Sequence, residues 1–77
     1  MKNYITNEGL RYSAEGAAGL VRQLKADSKS GGHIKKSDWR NDSAYRASEA
    51  TGTIVRGDSD AHFVEDLINA GLLKEEG

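Results

Sequence analysis

The sequence predicts a small α+β domain, and three observations carry that prediction. Apolar residues recur at helical spacing in two stretches, each opened by a residue able to cap and closed by a helix-ending signal. Between and beside them lie short runs that alternate or carry β-branched residues. The whole chain is 77 residues with no cysteine, which suits one domain at 1–77 that rests on packing rather than on disulfides or a thiolate metal site. Three helices with a two- or three-stranded sheet, in the order β-α-α-β-α, is the expected architecture.

The elements follow in order. Leu10-Arg11-Tyr12 alternates and reads as a short strand, with Tyr4-Ile5 or Leu72-Leu73 a further short candidate. A helix is expected over Ser13–Ala26, its stripe being Ala17, Leu20, Val21 and Leu24, with Ser13 and Glu15 suited to its first turn. Gly16 and Gly19 each cost such a helix about 0.5–1 kcal/mol, so close approach by another backbone is expected there. Ser28-Lys29-Ser30-Gly31-Gly32-His33 is a loop by composition. The middle helix should begin at Ser37, with Asp38 at the positive end of its dipole, and stop at Gly52. Its stripe of Trp39, Ser43, Ala47 and Ala50 is thin. Thr53-Ile54-Val55-Arg56, bounded by glycines, reads as a second strand. Asp58 or Ser59 then opens the last helix, whose stripe is Phe63, Val64, Leu67 and Ile68. Gly71 fits the left-handed position after it, and Leu72-Leu73 returns apolar weight to the core.

Charge is split along the chain. Met1 to Arg40 carries eight Lys or Arg against four acids, and Asn41 to Gly77 carries three against eight. The sum is only −1, so the asymmetry points to charged partners, or to pairing between the halves. Apolar runs are too short for a transmembrane span, so no membrane partner is expected. The opening Met-Lys-Asn-Tyr-Ile-Thr-Asn-Glu lacks the apolar stretch of an export signal. With no cysteine, the expected compartment is the cytoplasm.

Several motifs invite a chemical reading. Gly31-Gly32-His33-Ile34-Lys35-Lys36-Ser37 ends like a phosphate loop but lacks the glycine that must precede the lysine. Arg56-Gly57-Asp58 spells an adhesion tripeptide, although Gly57 is better read as the turn between strand and helix. Asp58, Asp60 and His62 resemble a hard-metal or acid–base set. Helical geometry sends Asp60 away from the other two, and capping already explains the acids. His62 is then expected to pair with Asp66 one turn on. Neither histidine stands near a recognisable nucleophile, so no catalytic residue, metal site or cofactor is expected.

Two binding readings remain. At about 100° per residue Tyr45 falls among Asn41, Asp42 and Glu49 on the polar face of the middle helix. Trp39 opens the same helix beside Lys36 and Arg40. Trp, Tyr and Arg in one patch are what protein interfaces favour. Lys36, Trp39, Arg40 and Tyr45 therefore form the expected partner-binding surface of a small non-enzymatic module, an accessory or inhibitor protein that docks on a larger protein or complex. The alternative is a nucleic-acid-associated module. Its basic loop over 22–40 would contact phosphates through Lys29, Lys35, Lys36 and Arg40. A core this small also admits a homo-oligomer.

Overall fold

The computed structural model describes residues 1–28 and 33–76. Its elements run β1 (Lys2–Thr6), β2 (Arg11–Ala14), α1 (Ala17–Asp27), α2 (Lys36–Thr51), α3 (Asp60–Asn69) and β3 (Leu73–Glu75). The α+β class holds, with three helices beside a three-stranded antiparallel sheet of order β2-β1-β3. Lys29, Ser30, Gly31 and Gly32 lie outside the described residues.

The sheet is drawn from both ends of the chain. β1 and β2 form a hairpin in which Tyr4 faces Tyr12, and on its other side β1 pairs Tyr4 with Glu75. The turn is locally encoded. Thr6 N–H donates to the Leu10 carbonyl at 2.8 Å, and Thr6 Oγ1 accepts the N–H groups of Glu8 and Leu10. Gly9, at φ +88°, takes the left-handed turn that a side chain would disfavour.

Pairing of Ala14 with Lys2 keeps Ser13 and Ala14 in β2, so α1 begins at Ala17 rather than at Ser13. Gly16 is its extended N-cap and bears no helix-interior cost. Gly19 faces β2, and a methyl group there would lie 3.5 Å from Ala14 Cβ, an ordinary contact. Gly19 is therefore not required by space.

The interior is built from Tyr4, Ala14 and Leu73 on the sheet, Leu20 and Val21 on α1, and Phe63, Val64 and Leu67 on α3. Trp39 closes it from α2, its ring edge-on to Phe63 at 6.0 Å between centroids. Ala44 completes the buried side of α2, whereas Ala50 is exposed. At the end of α3, Gly71 at φ +81° donates to the Ile68 carbonyl and Leu72 N–H to that of Leu67. This double closure brings Leu72 onto the last turn of the helix.

Residues 53–56 form no strand. They run back along α2 as a strap in which the N–H groups of Thr53, Val55 and Arg56 donate to side chains. Val55 N–H donates to Ser48 Oγ at 2.8 Å, and Arg56 N–H to Asp66 Oδ2 at 2.9 Å. Within the strap Val55 is buried, while Ile54 is exposed. Three of its four N–H groups are thus taken by side chains of the helices on either side rather than by a neighbouring strand.

Candidate docking surfaces

The charged residues explain which side chains remain available. The basic first half and the acidic second half pair with each other across the fold. Lys2 meets Glu75 and Arg11 meets Glu76 along the sheet. Between helices, Lys36 Nζ and Arg40 Nη1 reach the two oxygens of Asp60 at 2.5 and 2.7 Å. Burial pushes the Asp60 carboxyl up, but its bonds to Lys36 and Arg40 outweigh this and hold it below the ordinary value. Arg40 Nε also donates to the Gly57 carbonyl at 2.8 Å. Part of the charge split thus closes the fold: four of the eight cations of the first half pair with acids of the second.

That pairing changes the expected partner-binding surface. Trp39 is 9% exposed and belongs to the core, so it is not a surface anchor. Its position at the start of α2 turns it onto Phe63, as its place in the expected apolar stripe implied and its place in the expected partner-binding patch did not. Arg40 and Lys36 are both committed to Asp60. Of the four residues only Tyr45 stands clear, at 67% exposed. Around it on α2 lie exposed Asp38, Asn41, Asp42 and Glu49, with Arg46 paired to Asp42. The neighbouring strap adds Ile54, 82% exposed. Sequence reasoning passed over Ile54 because it treated 53–56 as a strand.

Of the residues expected to contact phosphates, Lys29 lies outside the described residues. Lys36 and Arg40 face Asp60, and Lys35 alone is exposed and without an ion pair among the described residues. Asp60 turns away from Asp58 and His62 toward Lys36 and Arg40, as helical geometry requires. His62 Nδ1 lies 2.9 Å from Asp58 Oδ1, and that bond holds the Asp58 carboxyl below its ordinary value. His62 therefore pairs with Asp58, not Asp66, because Asp66 is taken by Arg56. Ser59 caps α3 by accepting the His62 N–H.

A groove of about 410 Å³ opens at the hairpin end of the domain. Leu10 and Tyr12 line it from the hairpin, Leu24 from α1, and Leu67 and Leu72 from the end of α3. Tyr12 donates its hydroxyl to Asp27 Oδ2 at 2.8 Å, tying the hairpin to the last turn of α1. Burial of the ring, then the Asp27 carboxylate, raises the phenol above its ordinary value. No motif flagged this groove, since its lining is drawn from all three strands, from α1 and α3, and from the turns beside them.

No helix among the described residues is long and apolar enough to cross a membrane. The chain matches no protein-family model, no curated protein and no solved structure.

Proposed function

We propose that this chain is a small cytoplasmic docking module, binding without catalysis, that presents the outward face of α2 to a basic surface on a larger protein as its accessory or inhibitor. The observation that supports this reading is the exposure of two apolar side chains, Tyr45 on α2 at 67% and Ile54 on the strap beside that helix at 82%. An isolated exposed isoleucine is ordinary. Ile54 together with exposed Tyr45, and with Asp38, Asp42 and Glu49 exposed on the same helix as Tyr45, supplies the apolar groups and charged surround that protein interfaces combine. The acids would steer a basic partner and exclude polyanions. The nucleic-acid reading is weaker, because two of its four cations already neutralise Asp60.

Affinity capture from a lysate, with and without nuclease, tests it when run beside Tyr45→Ala and Ile54→Ala. A stoichiometric protein that survives nuclease and is lost by more than about tenfold in both variants is expected. Retention of the same protein by both variants, or recovery of nucleic acid with proteins lost on digestion, overturns the reading.

A further inference from the structure

The geometry points to a second docking site, independent of the α2 face: the groove at the hairpin end is built to take a cationic amphipathic segment of a partner protein. Its walls are apolar and well supported. Leu67 and Leu72 are held together by the closure of α3, and Tyr12 is fixed by its bond to Asp27. Leu10 stands at the mouth, 55% exposed, where packing within the chain does not cover it. A volume of about 410 Å³ lies in the range that ligand-sized clefts occupy and accommodates a few leucine-sized side chains.

The rim decides which segment fits. Glu8 at the tip of the hairpin and Asp27 at the end of α1 both line the groove, and neither has an ion pair among the described residues. Both α1 and α3 end here, so the negative ends of two helix dipoles meet at the same mouth as the two carboxylates. Lys25, in the last turn of α1, is not among the residues lining the groove. An apolar floor under a negative rim suits a helix that inserts leucine-like side chains and lays Lys or Arg over Glu8 and Asp27. An acidic segment of the same apolar pattern meets like charge and is rejected.

The probe is a short helical peptide with Leu at i, i+3, i+4 and i+7 and Lys elsewhere, with a companion that replaces Lys by Glu. Each is titrated into the isotopically labelled full chain while leucine methyl and backbone amide resonances are followed. Saturable shifts at Leu10, Leu24, Leu67 and Leu72 with the Lys peptide, and none with the Glu peptide, are expected. Leu10→Ser, at an exposed position that leaves the fold intact, should weaken binding about tenfold. Glu8→Lys should weaken it most at low salt. Absence of saturation up to about 1 mM peptide, equal binding of both peptides, or the same groove shifts on raising the protein concentration alone would each overturn the assignment. The last would make a second copy the occupant. Tyr45→Ala should bind the Lys peptide as the unaltered chain does. Failure of the groove therefore leaves the α2 reading standing, and failure of lysate capture leaves the groove standing.

Discussion

Asp66 on α3 accepts three hydrogen bonds from Arg56 alone: the backbone N–H at 2.9 Å, Nε at 2.8 Å and Nη2 at 3.1 Å. One carboxylate thereby fixes both the path of the strap and the direction of its arginine. The Arg56 side chain, then its backbone N–H, hold the Asp66 carboxyl at about 2, well below the ordinary range.

This bond makes stability fall in acid. Unfolded, Asp66 titrates near about 3.9, and folded at about 2, so between these values the unfolded chain binds more protons. Its contribution is complete above about pH 4 and is lost as pH drops through about 2. Asp58 and Asp60, also held low, act in the same direction. Urea unfolding followed from neutral to acid pH should show Asp66→Asn less stable at neutrality and less sensitive to acid. An unchanged acid slope in that variant would mean the carboxylate does not anchor the strap.

Ser48 is the other anchor of the strap. Its hydroxyl accepts Val55 N–H while donating to the Ala44 carbonyl at 2.8 Å. Ser48→Ala leaves the N–H of a buried residue without its partner, at a cost of about 1–3 kcal/mol. Equilibrium denaturation reads this directly, and faster exchange of the Val55 amide should accompany it.

Two glycines should respond in opposite directions to alanine. At Gly57 a methyl group would stand 2.7 Å from Asn41 Oδ1 and 2.9 Å from Asn41 Cα, so backbone must yield. Gly57→Ala is expected to cost about 1–3 kcal/mol. At Gly19 the same group finds ordinary contact with Ala14 and relieves the entropy of a helical glycine. Gly19→Ala should stabilise by about 0.5–1 kcal/mol. Thermal melts of both variants check the pair.

The aromatic residues of α2 should separate just as clearly. Trp39→Ala opens a cavity against Phe63 and should cost about 3–5 kcal/mol. Tyr45→Ala, at an exposed position, should change stability by no more than about 0.5 kcal/mol. A large loss at Tyr45 would show that its ring packs against the domain, leaving nothing for a partner to cover.

The bounds of α2 and α3 were readable because their signals are local, whereas Ser13 and Ala14, read as the start of α1, belong to β2. The Ser59 cap, the α3 stripe and the terminating Gly71 all lie within one short stretch, and α2 falls within a residue of its expected bounds. The strap was not readable. Thr53–Arg56 has the composition of a strand, but its partners are a serine seven residues earlier and an aspartate ten residues later. Composition announces extended backbone, not what will satisfy it. The charge split was visible, yet its meaning waited on the β1–β3 pairing, which brings Arg11 to Glu76 across 65 positions. Trp39 was ambiguous for a related reason. A helix with so thin an apolar stripe does not disclose which side the rest of the fold will cover.

Because β1 lies between the hairpin partner and β3 and runs antiparallel to both, Asn3 and Glu76 meet at the same end of one ladder, joined by a 2.7 Å bond from the Glu76 N–H to the Asn3 carbonyl. Tension drawn across the two ends of the chain would load that bond first and those behind it in succession. The sheet would peel rather than shear, yielding at low force and releasing β3 while the helices were still packed.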